Sequence, residues 1–400
     1  MPSIPEPKTT FITVPLKRIA RFKSGGAISG TDISETGEYP VFGGNGLRGY
    51  TATWNLDGAN LLVGRQGALA GNVHRTDGKI WASEHALIAT LSRNTNHDFV
   101  YYLLLQMNLN QYSQAAAQPG IAAGMIEKVT TSVPVSVKAQ EEIASFLDAK
   151  TAEIDGLVSK LERERELLER YRRELIARTV TRGLDPDVPM KDSGVDWIGS
   201  MPRTWSTIPV RRLFEVVKRV EPGFSDQVLS ITQRGIVPKD LSSHFGQIAE
   251  SYDSYQRVDV GDYAMNAMDL LTGWVDRSKY QGITSPDYRV FRLRPQIGAD
   301  PRYFTHVLQM GYTRRIFYRF GQGVSNLGRW RLQPKVFLSM RFPLPPLDEQ
   351  VAIADHIEGK HAEIDSTIEG INRQIELLGK YRKQVINDAV TGKVPVGEVA

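Results

Sequence analysis

The sequence contains no cysteine among its 400 residues. This absence excludes disulfide bonds, a catalytic thiol and thiolate metal sites, and it fits a reducing compartment. Long apolar runs are also missing, because no stretch approaches the roughly 18 residues that span a bilayer. The N-terminal segment lacks the basic start and the apolar run of a signal peptide. We therefore expect a cytoplasmic chain without contact to a membrane.

Motifs that carry chemistry are scarce as well. The sequence has no Asn/Asp-Pro-Pro-aromatic tetrapeptide for holding a flipped base, no Walker phosphate loop and no His-Glu-x-x-His zinc motif. Glu358-Gly359-Lys360 resembles part of a metal-nuclease motif but falls inside a heptad pattern. His74 and His85 lack metal-ligand spacing, which favours core or turn roles. We therefore expect no catalytic residue, no metal ligand and no cofactor in this chain.

What the sequence does contain is an internal repeat. When Gln140 is aligned with Gln350, 17 of about 43 positions are identical, including residues 152–155 and 362–365, which both read Ala-Glu-Ile-Asp. A weaker match upstream relates residues 14–19 to residues 208–213. A lobe followed by a helix therefore occurs twice. The lobes themselves diverge, which is typical of one scaffold that carries two recognition surfaces.

The repeated segments have the heptad spacing of long helices. Apolar side chains recur every seven residues, at Leu147, Ile154, Leu161, Leu168 and Leu175 and again at Ile357, Ile364, Ile371, Leu378 and Val385. Further apolar residues are expected to fill part of the seam, namely Leu157, Val158, Tyr171, Ile368 and Tyr381. Asp348 is the predicted cap of the second helix, and Gly183 and Gly392 are predicted to end the two helices. With about 40 residues, each helix would be roughly 60 Å long.

The simplest partner for each apolar stripe is the other copy, which predicts an antiparallel helix pair. A hairpin that serves only stability or dimerisation is the alternative. Both lobes show short apolar runs separated by glycine, which predicts strands at residues 60–64, 85–91, 228–232, 262–268 and 288–293. Helices are predicted at residues 99–109 and 301–312. The predicted fold is thus two α/β (α+β) lobes joined by two long antiparallel coiled-coil helices with pseudo-twofold symmetry.

The predicted domain organisation follows this repeat. The segments are residues 1–138 for the first lobe, 139–182 for the first helix, 183–347 for the second lobe, 348–392 for the second helix and 393–400 for a C-terminal tail.

Polar side chains near glycine-rich turns are the predicted ligand contacts of the first lobe, namely Asn45, Arg48, Tyr50, Arg65 and Gln66. Side chains of these types bind base edges and phosphates. In the second lobe the predicted contacts are Gln233, Arg234, Asn266, Arg314, Arg315, Arg329 and Arg331. The four last arginines belong to a basic and aromatic stretch that is typical of a phosphate-binding surface. For each residue, a turn or solvated role is the alternative.

Three segments resemble the specificity subunits of type I restriction-modification systems. Residues 192–199, which read Asp-Ser-Gly-Val-Asp-Trp-Ile-Gly, with Met201-Pro202 and Trp205, are similar to the start of a target recognition domain in that family. Residues 343–350, Pro-Leu-Pro-Pro-Leu-Asp-Glu-Gln, resemble its junction into a conserved helix, and residues 39–46 resemble a frequent opening of its recognition domains. The first junction, residues 133–140, lacks the Pro-Pro-Leu core.

The resemblance implies that each lobe reads one half of a split, asymmetric target in double-stranded DNA. The helix pair would set the gap and dock two modification subunits. The chain itself would be non-catalytic, while methyltransferase subunits and translocating restriction subunits would bind the methyl donor, ATP and magnesium. Other interpretations are an orphan specificity-like DNA-binding protein of another defence system, a nuclease or methyltransferase with an unfamiliar site, and a coiled-coil scaffold without sequence preference.

Overall fold

The computed structural model describes residues 9–67, 69–113, 120–225, 227–240, 251–323 and 330–393. Two compact units emerge, one made of Met1–Glu162 with Asn372–Ala400 and the other of Arg163–Ile371. Each unit contains one lobe and one half of each long helix. The predicted segments kept every helix whole, and their limits stay a prediction.

The first unit carries a mixed lobe with its own apolar core. Its strands are β1 (Phe11–Pro15), β2 (Ala20–Ser24), β3 (Tyr39–Gly43), β4 (Gly46–Thr51), β5 (Asn60–Gly64), β6 (Val73–Thr76), β7 (Trp81–Ala82), β8 (Ala86–Leu91) and β9 (Thr130–Pro134), and its helices are α1 (His97–Gln106) and α2 (Ala123–Ile126), followed by the long helix α3 (Val137–Arg182). The central sheet has the order β2-β8-β5-β6, and all of its pairs are antiparallel. A second sheet, β4-β3-β7, combines an antiparallel and a parallel pair.

The lobe of the second unit repeats this plan with different lengths and loops. Its strands are β10 (Met190–Asp192), β11 (Ser200–Pro202), β12 (Ser206–Pro209), β13 (Phe214–Val216), β14 (Leu229–Thr232), β15 (Gly235–Pro238), β16 (Gln256–Val258), β17 (Tyr263–Met265), β18 (Val275–Arg277), β19 (Gly282–Thr284), β20 (Arg289–Leu293) and β21 (Arg341–Leu344), and its helices are α4 (Val210–Leu213), α5 (Pro301–Thr313), α6 (Ile316–Arg319) and α7 (Pro334–Ser339), followed by the long helix α8 (Leu347–Thr391). The four-stranded sheet β13-β20-β17-β18 has the same chain order as its counterpart in the first lobe. The internal repeat therefore extends to the topology of the lobes.

Within each unit the two long helices run in opposite directions. In the first unit, Ile143 and Leu147 from the start of α3 share a core with Val385 and Val390 from the end of α8. In the second unit, Ile176 and Val180 from the end of α3 share a core with Ile353 and Ile357 from the start of α8. Early residues of one helix thus pack with late residues of the other, which is the antiparallel arrangement that the heptads predicted.

The same ion pair joins the helices in both units. Arg382 Nε donates to Asp155 Oδ1 at 3.0 Å in the first unit. In the second unit the equivalent Arg172 pairs with Asp365. Because these residues belong to the repeated sequence, one sequence motif provides both halves of the contact.

Most of the predicted stripe is buried. Seven of its members are buried, namely Leu147, Ile154, Leu175, Ile357, Ile364, Ile371 and Val385, and Leu161, Leu168 and Leu378 are half-buried. The expectation for the rest of the seam was partly wrong. Val158 and Ile368 are half-buried, whereas Leu157, Tyr171 and Tyr381 are exposed, because they lie outside the face that the two helices share.

The helix ends confirm two predictions and correct a third. Gly183 and Gly392 follow α3 and α8 with φ of +77° and +68°, the left-handed backbone that ends many helices. Asp348 is not the cap, because α8 begins one residue earlier at Leu347 and the amide of Gln350 already donates to Pro346 O at 3.0 Å. Asp348 lies in the first turn, where its carboxylate still faces the positive end of the helix dipole.

One buried glutamine near the start of each long helix holds that helix to its lobe. Gln140 Nε2 donates to Pro134 O at 3.0 Å, and its Oε1 accepts from the amide of Asn96 at 2.8 Å. Gln350 repeats the arrangement, with 2.8 Å to Pro345 O and 2.9 Å from the amide of Asp300. Asn96 and Asp300 are the caps of α1 and α5, so the glutamine joins strand end, lobe helix and long helix at one point.

Within the described ranges, none of the helices combines the length and the apolar character that crossing a bilayer requires.

Candidate nucleic-acid interface

The hairpin of β3 and β4 presents Asn45 at its tip. A Cβ on the neighbouring Gly44 would lie 2.8 Å from the backbone oxygen of Gln66 and 3.1 Å from that of His85, so only glycine allows this approach. The hairpin tip therefore lies directly against the segment that follows β5. The hairpin tip that carries Asn45 thus lies against the backbone of Gln66, so two of the predicted contacts belong to neighbouring segments.

Gln66 and Arg65 are both held by side-chain hydrogen bonds. Gln66 Oε1 lies 2.8 Å from His85 Nδ1, and Arg65 donates to Ser24 Oγ at 2.8 Å. The remaining ring nitrogen of His85, Nε2, is 3.3 Å from Glu84 Oε1. His85 is not among the predicted contacts of the first lobe, and its position directly before the buried strand β8 is a sequence signal that could have indicated it.

Arg48 and Tyr50 occupy β4 beyond the tip. Val41 pairs with Gly49 and Phe42 pairs with Leu47, so Arg48 is the extra residue of a β-bulge and its side chain leaves the regular alternation. Its aliphatic part covers Gly43, where an added Cβ would lie 2.4 Å from Arg48 Cδ. Tyr50 is half-buried, and its backbone pairs with Ser34. Arg48 thus belongs with the hairpin tip, and Tyr50 lies farther along the strand.

In the second lobe the predicted residues are spread over three places. Gln233 and Arg234 form the β14–β15 turn and line a cavity of about 590 Å³ together with Arg315. Arg172 and Arg173 of α3 line the same cavity. Four arginines and the amides of Gln233 and Gln309 thus line one concave surface together with the carboxylates of Glu169 and Asp276, and we call this surface the arginine cavity.

The wall of the arginine cavity includes His361, and His306 is packed behind it. The ring centroids are 5.9 Å apart, and burial lowers the pKa of His306 to about 4. Burial also lowers the pKa of His361, with Arg172 acting in the same direction. Both imidazoles are therefore neutral near pH 7, and the positive charge of the cavity comes from its arginines.

Arg314 and Arg331 lie elsewhere in the second unit. Arg314 donates to Glu174 Oε1 at 2.8 Å and lines a separate cavity of about 630 Å³ with Arg178 and Arg319. Arg331 lines a smaller cavity of about 160 Å³ beside Arg289. Among the described members of the basic stretch, Arg314, Arg315 and Arg331 therefore line three different cavities.

Two residues of that region have structural contacts, and one lies outside the described residues. Asn266 Oδ1 accepts from the amides of Met268 and Asp269, so it shapes the turn after β17. Arg341, part of the basic stretch, donates to the backbone oxygen of Thr207 at 2.7 Å. Arg329 lies outside the described residues. For every candidate residue, contact with nucleic acid stays a prediction.

In the part of the chain that the structure describes, no three His, Cys, Asp or Glu residues come together as metal ligands.

Comparison with known proteins gives these surfaces a context. Residues 9–163 match the model of the type I restriction modification DNA specificity domain. The type I restriction enzyme EcoprrI specificity subunit of Escherichia coli is 44% identical over 137 residues, which is 33% of this chain and 34% of that relative. The putative type I restriction enzyme MjaX specificity subunit of Methanocaldococcus jannaschii is 24% identical over 82% of this chain and 76% of that protein.

A solved structure agrees in fold along nearly the whole chain. It comes from work on complex assembly and conformational transition of the type I R-M system, has a TM-score of 0.68 at 10% identity, and is matched over 98% of this chain and 100% of its own. This agreement confirms the predicted fold class. Residues 9–163 are thus similar to the DNA specificity domain of type I restriction-modification systems, and the resemblance seen in the sequence is matched over this segment.

Proposed function

We propose that each lobe reads one half of a split, asymmetric target in double-stranded DNA and that the helix pair sets the gap between the halves. The observation that carries this proposal is the repeated topology with different loops. Two copies of one four-stranded sheet place unlike side chains at equivalent positions of their loops, such as Gln66 three residues after Val63 and Met268 three residues after Met265. Unlike loops on equal scaffolds fit two different base sequences better than one symmetric sequence.

The chemistry of the exposed loops supports contact with DNA. Arginine and glutamine side chains recognise base edges in the major groove, and arginine also binds phosphates. In the first lobe the hairpin tip that carries Asn45 lies against the backbone of Gln66, and in the second Gln233 shares the arginine cavity with Arg234 and Arg315. Each lobe therefore offers amide groups for bases beside a cationic group for the backbone.

The same proposal includes docking of two modification subunits on the long helices. In the second unit, Leu167 and Tyr171 of α3 are about half exposed, and in the first unit the equivalent Leu377 and Tyr381 of α8 are exposed as well. Residues four apart lie on one helix face. Each unit thus has an equivalent apolar patch, which fits one copy of the same partner protein per unit.

The proposal assigns no catalytic step to this chain. Modification subunits would bind the methyl donor, and translocating restriction subunits would bind ATP and magnesium for hydrolysis and cleavage. This chain would supply position and sequence preference through its lobes. Because the proposed substrate is double-stranded DNA, we expect the complex in the cytoplasm.

Methylome sequencing tests the proposal. A host without its own modification systems would express this chain with the modification subunit encoded next to its gene, and a control host would express that subunit alone. A split methylated motif that depends on this chain is the expected result. If the two proteins form a folded complex and no new motif appears, the proposal is overturned in favour of an orphan DNA-binding protein or a scaffold.

A further inference from the structure

The connection between β5 and β6 in the first lobe and the equivalent connection between β17 and β18 in the second have the same length when it is counted between paired residues. Val63 pairs with Val73 in the first lobe and Met265 pairs with Val275 in the second, so nine residues lie between the paired positions in each lobe. We call these segments, residues 64–72 and 266–274, the two loops, although Gly64 still belongs to β5 and residue 68 lies outside the described residues. Both loops begin with the same backbone hydrogen bond. Gly64 N donates to Asn72 O at 2.8 Å in the first lobe, and Asn266 N donates to Trp274 O at 2.9 Å in the second.

Only two of the nine positions are identical between the loops. The sixth position is Leu69 in one loop and Leu271 in the other, and the eighth is Gly71 and Gly273. The glycines have a structural reason, because a Cβ would lie 2.4 Å from the amide of Asn110 at Gly71 and 2.1 Å from a backbone oxygen at Gly273. Packing gives no such structural reason for the leucines, since Leu69 is 44% exposed and Leu271 is 48% exposed. A single exposed leucine is ordinary, but the recurrence at one position of two diverged loops indicates a shared task.

Both leucines project from loops that are held by hydrogen bonds. In the second lobe, Asp269 Oδ1 accepts from the amides of Leu271 and Thr272 at 3.0 and 2.9 Å. In the first lobe, Gly71 N donates to Gly64 O at 2.8 Å, and Asn110 Nδ2 donates to Ala70 O at 2.8 Å. Because these hydrogen bonds hold the backbone beside each leucine, little backbone entropy would be lost when the leucine enters a partner.

The surroundings of the leucines indicate which partner they meet. Leu271 lines the arginine cavity, in which four arginines outnumber two carboxylates. Leu69 follows Arg65 and Gln66 in the same loop. A partner that matches an apolar side chain among cationic and amide groups has apolar faces and negative charge together. Duplex DNA has both, because stacked bases lie between phosphates.

We infer that Leu69 and Leu271 are wedge residues, each entering a base step in the half of the target that its lobe reads. This inference rests on the proposed function and adds a deformation of the DNA to it. Apolar wedges unstack the step that they enter. Methylation of a base needs that base to leave the stack, and prior unstacking lowers the cost of this step for the proposed partner subunits. Each lobe would thus prepare its own half of the target for modification.

Binding and fluorescence measurements on the complex with its modification subunits test the inference. The duplex carries the split motif found by methylome sequencing, with 2-aminopurine in one half at a time, since this base becomes fluorescent when it is unstacked. Leu69→Ala and Leu271→Ala should each weaken binding about tenfold, by loss of the buried apolar surface. Each should also abolish the fluorescence rise in one half only, and Leu69→Met and Leu271→Met should restore both signals.

Val260→Ala is the matched control, because Val260 is an exposed apolar residue before β17, at the other end of that strand from the loop. Unchanged affinity and fluorescence in Leu69→Ala and Leu271→Ala overturn the wedge. Loss of the modification subunits from the complex also overturns it, because the leucines would then contact protein. If the unaltered complex shows no preference for the motif, the proposed function itself fails, so the two failures are distinguishable.

Discussion

Gln140 and Gln350 show how a single residue type can define an architecture. Both side chains are almost completely buried, and both accept from a helix cap and donate to the end of a strand. A buried amide costs free energy unless its groups are paired, so the glutamine is favourable only where all three elements meet. This requirement fixes where each lobe sits on its own long helix.

Replacing Gln350 with leucine should therefore destabilise the second unit by about 2–4 kcal/mol, because the amide of Asp300 and the oxygen of Pro345 lose their partner. Differential scanning calorimetry would show the lower transition temperature. Gln374→Leu is the control, since Gln374 lies on the exposed face of α8. Equal transition temperatures for the two variants would contradict the role assigned to Gln350.

Asp148 gives the first unit a pH dependence. Its Oδ1 accepts from Arg75 and from the hydroxyl of Tyr102, each at 2.7 Å. Partial burial alone would raise the pKa of Asp148, but these hydrogen bonds outweigh it and lower the pKa below its ordinary value. Because the pKa of Asp148 is lower in the folded chain than in the unfolded chain, its carboxylate stabilises the fold at pH values above the pKa of the unfolded chain. This contribution to stability is lost as the pH falls through the pKa of Asp148 in the folded chain.

Asp148→Asn should therefore cost about 1 kcal/mol of unfolding free energy near pH 7 and much less near pH 3. Urea unfolding at the two pH values measures the difference. Asp155→Asn serves as a comparison from the same helix, since Asp155 pairs with Arg382 across the helices and not with the lobe. A cost that is equal at both pH values would show that the Asp148 carboxylate does not titrate with folding.

Residue types predicted the candidate site only in part. The glycines of residues 43–46 predicted a tight turn, and the structure has one there. A turn of this kind is predictable because the backbone conformations that favour glycine depend on neighbouring residues only. Arg341 bonds to the backbone of Thr207, which is distant along the chain, so this contact could not be read from the sequence. Asn266 bonds to the amides of Met268 and Asp269, and this local turn was not predicted from its residue type. Arg314 and Arg315 are neighbours in sequence but line different cavities, and Arg315 has a left-handed backbone with φ of +54°.

At the scale of elements, periodicity predicted the helices better than the strands. The heptads span many turns, so the limits of α3 and α8 differ from the expected ones by only one or two residues. The expected strand at residues 262–268 is only Tyr263–Met265, because Asn266 bonds to the next amides and starts a turn. Tyr171 was wrongly predicted to fill the seam. Its heptad spacing fits the edge of the apolar stripe as well as its centre, and the side chain is exposed.

The exposed patch of Leu167 and Tyr171 gives the element-scale prediction. Leu167→Lys with Tyr171→Lys should weaken binding of a modification subunit at least tenfold, because charge would enter an apolar contact. Thermal stability should stay unchanged, since both side chains are about half exposed. Co-purification and titration of the partner subunit measure the effect. Glu162→Lys, an exposed change on the opposite face of α3, should leave binding intact, and equal binding by all three proteins would remove the patch from the docking surface.

For the whole molecule, the duplication is what the sequence predicted most fully. Sequence identity between the helical segments predicted a repeated architecture, and the structure extends the repeat to the strand order of the four-stranded sheet in both lobes. The lobes could not be matched loop by loop from sequence, because a sheet tolerates different side chains on its loops while its register is kept. The equivalence of Leu69 and Leu271 appears only when the strand pairs are aligned.

The division of both helices between the two units gives the last prediction. The boundary falls after Glu162 in α3 and after Ile371 in α8, so each helix continues from one unit into the other. Seven residues added to each helix at these points preserve the heptad register and lengthen it by about 10 Å. Because base pairs are about 3.4 Å apart, the methylated motif should keep both halves while its gap grows by about three base pairs.

An insertion of seven residues in α3 alone is the control, since it lengthens one helix without its partner and should abolish the methylated motif. Methylome sequencing reads both variants. If the paired insertions leave the gap unchanged, the helices do not set the spacing of the target, and the distance between the half-sites must come from the partner subunits.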